Sequence, residues 1–360
     1  MRRLHRAPYR EGASPTMTTP SPRLSRRSAM AALLALALAV VVAPAVTASP
    51  TRTGARLMSR LPGSQVEVRA GHREVQTAPI LPRASVRRGG PPSATIEVEY
   101  NGFSAKARAA FQVAVDIWEA RVVSPRTIHV TANWTPMGAG VLGAAGPTAF
   151  YFLSDGFVYP AALAEALCDC QGGAPIEISA NFNSSFPDWY LGTDGTGPAS
   201  KYDFLTVVLH ELGHGLGFLS TFSVAGGQGG WGLHDGSPPP MYATRYDVNE
   251  RSARSGGNKL TKTQLYPNPS ATLRTQLTDG SVFFGGAEVV AQNGGRAKLY
   301  APKPWQAGSS NSHFDEAAFP TGSADALMTP FLDNGEVLHA PGALTLALFR
   351  DIGWSTNPGS

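Results

Sequence analysis

The sequence predicts an α+β fold, and three observations support this class. Segments that alternate like β-strands are mixed with segments of helical periodicity, without a regular βαβ rhythm. We find no internal repeat. Hydrophobic residues make up 42% of the 360 residues, so the chain can bury a sizeable core, and its two cysteines exclude a disulfide-dense scaffold.

The individual elements follow from these patterns in chain order. Alternation of apolar and polar residues predicts strands over 94–100 and 128–134, a short apolar run predicts one over 149–153, and another strand is predicted over 176–182. Ser104 is the expected N-cap of a helix that extends to about residue 122, and Pro160 lies in the first turn of a second, short helix. The strongest helical pattern covers 202–218. The remainder is loop-rich, with short strands and a last helix predicted over 282–284, 298–300 and 342–351.

The first 48 residues have the pattern of a signal peptide. Arg23, Arg26 and Arg27 precede an uncharged apolar run over 29–43, and small residues follow over 46–48. The run is short of the ~20 residues that span a bilayer, which favours a cleaved signal over a membrane anchor. We therefore expect a secreted protein with no stable membrane insertion after signal cleavage. The paired arginines leave open whether export follows the general or the twin-arginine route.

Charge divides the chain into two unlike parts. Residues 1–92 hold 15 Lys and Arg against 3 Asp and Glu, whereas residues 93–360 hold 15 against 23. The acidic character of 93–360 argues against a nucleic-acid partner. Within the basic part, 49–92 is interpreted as a pro-segment or a linker. If it is a pro-segment, its positive charge is expected to favour contact with the acidic domain over 93–360.

The motif with the clearest chemistry is His210-Glu211-Leu212-Gly213-His214, inside the strongest predicted helix. Four residues on a helix correspond to about 40° of rotation and about 6 Å of rise, so the two imidazoles leave the same face. Two neutral imidazoles so placed can bind Zn²⁺. Glu211 can then accept a proton from a zinc-bound water that attacks a carbonyl group.

A catalytic zinc needs a third protein ligand, and the sequence alone leaves its identity open. The compact pattern H-E-x-x-H-x-x-G-x-x-H would place a histidine at position 220, where this chain has Ser220. His313 lies in a serine-rich stretch that precedes Ala-Leu-Met-Thr-Pro over 326–330. His234 and Asp235, in a Gly/Pro-rich loop, are the alternatives.

These patches together resemble the metzincin zinc metalloproteases, and most of all the leishmanolysin branch with its related secreted bacterial proteins. The resemblance rests on residues 205–218, 309–316, 326–330 and 344–354. It implies a metzincin-like zincin, with a mixed sheet and the active-site helix in an upper subdomain over 93–217. A loop-rich lower subdomain over 218–360 would contain a Met-turn. The strand over 176–182 would then be the edge strand above the cleft.

The same resemblance implies the roles of the site residues. His210, His214 and His313 would bind Zn²⁺, Glu211 would be the general base, and Met328 would be the methionine of the Met-turn. The implied function is a secreted zinc-dependent endopeptidase whose partner is a protein or peptide substrate. The alternatives are a zinc hydrolase of a non-peptide amide or ester, and a non-catalytic secreted zinc-containing binding module.

Two local features are interpreted as structural. Cys168 and Cys170, separated by one residue, are expected to form a disulfide or turn staple in an exported protein. Glycines at 213, 215 and 217 are poor helix formers, so they predict close packing or an early helix end, with a sharp turn at Gly217.

Overall fold

The computed structural model describes residues 57–74, 93–234, 241–253 and 256–357. These ranges belong to one compact unit, Val46–Ser360. The predicted signal peptide over 1–48 and the alternative ligand Asp235 lie outside the described residues. Among the described residues, no helix has both the length and the apolar character that are needed to cross a membrane.

The structure is a mixed α/β architecture, compatible with the predicted α+β class. The described ranges contain six α-helices: α1 Ala105–Glu119, α2 Ala161–Cys168, α3 Phe204–Leu216, α4 Ala271–Leu277, α5 Ala287–Asn293 and α6 Ala343–Ile352. The strands of the first half are β1 Leu57–Pro62, β2 Val66–Glu74, β3 Thr95–Asn101, β4 Val122–Val123, β5 Thr127–Thr135, β6 Val141–Pro147, β7 Ala149–Leu153, β8 Val158–Pro160 and β9 Ile178–Asn183. Nine shorter strands follow: β10 Trp189–Tyr190, β11 Tyr202–Asp203, β12 Ser223–Ala225, β13 Gln228–Gly230, β14 Glu250–Ser252, β15 Val282–Phe284, β16 Ala297–Lys298, β17 Phe331–Asn334 and β18 Ser355–Thr356.

A six-stranded mixed sheet organises the molecule, in the order β17-β2-β6-β9-β5-β3. The β3–β5, β5–β9 and β2–β17 pairs are parallel, whereas β6 is antiparallel to both β9 and β2. Two of these strands come from distant parts of the chain, because β2 precedes residue 93 and β17 follows residue 218. The proposed boundary between the subdomains at 217/218 stays a prediction.

Helices α1 and α3 pack together, and α3 packs against β2, β6 and β9. Ser104 caps α1 as predicted, since its side chain accepts a hydrogen bond from the Ala107 amide. The buried indole of Trp118 on α1 donates to the carbonyl oxygen of Leu209 on α3 at 2.9 Å. Trp354, after α6, donates in the same way to the carbonyl oxygen of Leu216 at 2.8 Å. These two bonds fix the middle and the C-terminal end of α3 within the apolar core.

The edge-strand assignment of 176–182 is wrong. The strand observed there, β9, lies inside the sheet between β5 and β6. Strand β6 had no predicted counterpart, because its sequence VLGAAGP carries two glycines and a proline and does not alternate. The basic segment over 49–92 contains β1 and β2, of which β1 pairs with β7 and β2 lies within the central sheet.

Candidate metal centre

Helix α3 is the element that carries the HExxH motif, and its limits are set by its two caps. The Asp203 side chain accepts hydrogen bonds from the amide and the hydroxyl of Thr206, at 2.8 and 2.7 Å. The buried imidazole of His339 contacts the same carboxylate oxygen at 2.8 Å. At the other end Gly217 adopts φ 122°, a conformation that residues with side chains rarely adopt. The predicted helix end at Gly217 is therefore confirmed.

Glycines inside α3 allow two neighbouring elements to approach the helix closely. A Cβ atom at Gly213 would lie 2.9 Å from the sulfur of Met328, and one at Gly215 would collide with the side chain of Ile178 on β9. Met328 ends a 3₁₀ turn over Ala326–Met328 and is fully buried. The close packing predicted from these glycines is confirmed, and Met328 lies against the helix that carries the histidines.

The structure brings His210, His214 and His313 together in one buried cluster. Nε2 of His214 lies 2.8 Å from Nε2 of His210 and 3.2 Å from Nε2 of His313. Two nitrogens bound to one tetrahedral zinc ion lie about 3.3 Å apart, because each Zn–N bond is about 2.0–2.1 Å long. The two separations from His214 are therefore close to that value, and all three ligand nitrogens lie within 4.8 Å of one another.

Backbone carbonyl groups fix the orientation of all three rings. Nδ1 of His210 contacts the carbonyl oxygen of Leu327 at 2.5 Å, that of His214 contacts Phe218 at 2.6 Å, and that of His313 contacts Ser309 at 2.8 Å. A carbonyl oxygen only accepts hydrogen bonds, so each Nδ1 carries the proton and each Nε2 presents a lone pair. The three ligand nitrogens lie within 4.8 Å of one another, so a cation bound among them would remove the mutual repulsion of their lone pairs.

Burial also keeps these imidazoles neutral, as metal ligands must be. Desolvation lowers the pKa of His210 to about 4 and holds the pKa values of His214 and His313 well below their usual range. The neighbouring histidines lower the last two further, since a second positive charge in the cluster is unfavourable.

Glu211 lies beside this cluster and is completely buried. Its Oε1 accepts a hydrogen bond from the amide of Val68 on β2, at 3.3 Å. Its Oε2 is buried and has no hydrogen-bond partner among the described residues. Burial raises the pKa of the Glu211 carboxyl well above its usual value. A Cβ atom at Gly143 on β6 would lie 2.9 Å from Oε1, so the glycine makes room for the carboxylate under the sheet.

A network of buried polar groups holds the loop that carries His313. Glu250 accepts a hydrogen bond from Asn311 Nδ2 at 2.7 Å and also contacts the hydroxyl of Ser220. The Ser220 amide donates to the Ser312 hydroxyl at 3.0 Å, and the Tyr246 hydroxyl donates to the carbonyl oxygen of Asn311 at 2.9 Å. Ser220, at the position where a compact motif would have its third histidine, thus supports the loop that carries His313.

Each predicted site residue now has a place in the structure. His210, His214 and His313 meet in one cluster, Glu211 follows His210 on the same helix, and Met328 packs against that helix. His234 is exposed and is not part of the described histidine cluster. Val68, Glu250 and Asn311 were not predicted as site residues from the sequence. Of these three residues, only Asn311 had a signal in the sequence, because it lies two residues before His313.

Comparison of this chain with protein-family models, with curated proteins and with solved structures found no match.

Proposed function

We propose that this protein is a secreted zinc-dependent endopeptidase of the metzincin type, related to the leishmanolysin branch. One observation carries the proposal: three buried histidines, with Nε2 of His214 2.8 and 3.2 Å from those of His210 and His313, lie together beside a buried glutamate. His210, His214 and His313 would hold the ion. Bound there, Zn²⁺ would supply Lewis acidity and lower the pKa of a coordinated water.

The side chains and main chain of the protein carry out the remaining steps of hydrolysis. Glu211 accepts the proton of the attacking water and delivers it to the leaving amine, which is the role of a general base and then a general acid. Its unpartnered Oε2 is the atom available for that proton. The carbonyl groups of Leu327, Phe218 and Ser309 keep the three imidazoles in the tautomer that binds metal. Met328 packs against Gly213 and supports the floor of the site.

The substitution Glu211→Gln tests this function. The amide is nearly isosteric but cannot accept the proton, so zinc content should be unchanged while peptide hydrolysis falls at least about 10²–10⁴-fold. Because β2 covers Glu211, both proteins are assayed with a site-specific protease sequence inserted between Gly89 and Gly90, after that site has been cut. Zinc is measured by elemental analysis, and hydrolysis with a quenched fluorescent peptide library.

The control is Glu288→Gln, a carboxylate half exposed in an ion pair with Arg350, which should leave zinc content and hydrolysis unchanged. Near-normal hydrolysis by Glu211→Gln would contradict the proposed mechanism. Zinc binding without hydrolysis of any peptide would favour the two alternatives. Cleavage of simple esters or non-peptide amides would then identify a hydrolase, and its absence a binding module.

A further inference from the structure

The three-stranded sheet of β14, β15 and β16 has one face in the core and a second face that is partly exposed. Glu250 on β14 and Phe284 on β15 lie opposite each other and are fully buried. Successive side chains of a strand point to opposite faces, so Arg251 and Phe283, which also lie opposite each other, belong to the second face. Both of these side chains are half-buried. The second face is therefore accessible to a ligand.

Positively charged side chains gather on this second face. Lys259 forms an antiparallel bridge with Arg251, so the two residues lie side by side on the same face. On the far side of β15, Phe283 pairs with Lys298 of β16. Arg296 lies two residues before Lys298 and therefore shares its face. The second face thus carries four cationic side chains around one phenylalanine.

Two glycines leave room for the arginines of this face. A Cβ atom at Gly285 would lie 3.1 Å from Cγ of Arg251 and 3.4 Å from Cδ of Arg296, so the two side chains pass side by side over this glycine. A Cβ atom at Gly257 would collide with the guanidinium group of Arg296, at 2.1 Å from Nη2. A side chain at position 257 would therefore displace the Arg296 guanidinium from its place.

Three of the four cations have no carboxylate partner among the described residues. Lys298 forms an ion pair with Asp315 at 3.2 Å, which compensates its charge. No ion pair within the described ranges includes Arg251, Lys259 or Arg296. Like charges placed directly opposite each other in a sheet are destabilising, so this arrangement costs the fold stability.

The three uncompensated cations also repel one another. Burial lowers the pKa of Arg251, and the positive charge of Arg296 lowers it further. Burial likewise lowers the pKa of Lys259, followed by the charges of Arg251 and Arg245. Arg251 does not turn away from its neighbours, because its Nη1 donates to the carbonyl oxygen of Val248 at 2.7 Å. An anion bound among the three side chains would remove this repulsion.

The charge and shape of these groups indicate which anion fits. A phosphate monoester carries about −1.5 to −2 charge at pH 7 and has three strong acceptor oxygens. Guanidinium groups match phosphate geometry with paired hydrogen bonds, and a lysine adds a compact positive charge. A carboxylate has one negative charge and would leave most of the positive charge uncompensated. Phe283, directly opposite Arg251, offers an apolar surface to the organic part of an ester.

We propose that Arg251, Lys259 and Arg296 form a binding site for a phosphate monoester, with the phosphate group among the three cations and the organic group against Phe283. The inference does not depend on the proposed function, because neither a metal nor hydrolysis enters it. A ligand with both groups would bind more tightly than free phosphate, which can use the cations alone.

Binding of phenyl phosphate to the full chain, measured by isothermal titration calorimetry, tests the cations. Arg296→Gln and Lys259→Gln should each weaken binding roughly 10- to 100-fold, because each variant removes a charge-assisted hydrogen bond. The matched controls are Arg108→Gln and Lys106→Gln, two exposed cations on α1, and both should bind as the unaltered chain does. Absence of binding to the unaltered chain would overturn the proposal. Unchanged binding in both Arg296→Gln and Lys259→Gln would overturn it as well.

Two further probes test the chemical class of the ligand. Benzoate has the same ring with a single negative charge and should bind at least about 10-fold more weakly than phenyl phosphate, because it loses one of two charges and an acceptor oxygen. Inorganic phosphate lacks the ring and should bind about 5-fold more weakly, the equivalent of roughly 40 Å² of lost apolar contact. Equal affinity for benzoate and phenyl phosphate would reject a phosphate site.

Phe283→Ala tests the place of the organic group. Phenyl phosphate should then bind no more tightly than inorganic phosphate. The affinity for inorganic phosphate itself should stay that of the unaltered chain, which also shows that the variant folds and keeps its three cations in place. If the unaltered chain binds both probes equally, the ligand is free phosphate and the ester assignment is wrong. A preference for phenyl phosphate that survives in Phe283→Ala would contradict the assigned place of the organic group.

Discussion

Among the individual residues, Glu250 shows how a site is built from groups that never touch the reacting atoms. Its two carboxylate oxygens contact Ser220 and Asn311, and Asn311 lies two residues before His313 with a left-handed φ of 61°. Burial raises the pKa of Glu250 well above its usual value, and the nearby Asp247 raises it further. The side chain therefore acts as a positioning residue for His313.

Glu250→Ala should weaken zinc binding about 10- to 100-fold, the usual cost of removing a partner that orients a ligand. Glu250→Gln should retain most of the affinity, because its amide can still accept from Asn311. Competition with a chromophoric chelator measures the affinity, and Glu288→Ala at the surface is the control. Wild-type affinity in Glu250→Ala would show that the His313 loop holds itself in place.

At the scale of secondary structure elements, the glycines of α3 illustrate a conflict between local preference and packing. An isolated helix prefers alanine to glycine by about 1 kcal/mol. In α3 that preference is reversed, because the methyl group of an alanine at 215 would overlap Ile178 on β9. The helix accepts a poor helix former so that it can lie directly on the sheet.

Gly215→Ala should therefore lower the free energy of unfolding by about 1–3 kcal/mol, the typical cost of overpacking a core. Gly295→Ala is the matched control, because a Cβ atom added there would meet no other atom within 4 Å and its φ is not left-handed. Urea unfolding of both variants measures the difference. A stabilised Gly215→Ala would mean that β9 moves away at little cost.

The elements that the sequence predicted are those with a strong local signal. Strands β3, β5, β7 and β15 and helices α1, α3 and α6 follow from alternation, helical periodicity or caps. Helices α4 and α5 were missed because seven residues are too few for a clear period. Strand β2 was missed although Val66, Val68 and Ala70 alternate with Glu67 and Arg69, because its segment was interpreted from its basic composition. Strand β17 was missed because four residues are too few for a clear period.

The residues of the candidate site likewise divide into those with a local sequence signal and those without one. His210, Glu211 and His214 lie within one helical turn, so helix geometry alone placed them together. His313 came from resemblance, since nothing local specifies a contact across about 100 residues of chain. The contact between Val68 and Glu211 could not be predicted, because it depends on a strand that joins the sheet from outside the predicted domain.

For the whole molecule, the histidine cluster couples metal binding to stability. Three neutral imidazoles with neighbouring lone pairs repel one another, and a bound ion would remove that repulsion. An ion at this site would bind the folded chain far better than the unfolded one, because His313 is distant from the helix pair in sequence. Metal should therefore stabilise the entire fold.

Removing the metal with a chelator should lower the melting temperature. At a free zinc concentration of 100 times the dissociation constant, the lost stabilisation is about 2.7 kcal/mol. Differential scanning calorimetry with and without chelator measures the shift, and added Zn²⁺ should reverse it. His210→Ala is the control, since its melting temperature should no longer respond to the chelator. An unchanged wild-type melting temperature would argue against a resident metal.

The pairing of β2 with β17 has a consequence for how the chain reaches its fold. Arg69 and Phe331 are 262 positions apart, so this part of the sheet forms only when nearly the whole polypeptide is available. Such distant pairing is slow to form, and until then β6 presents a free strand edge that invites aggregation. A chain that began at residue 93 would keep that edge permanently. Recombinant production should therefore start from the longer chain, with cleavage only after folding.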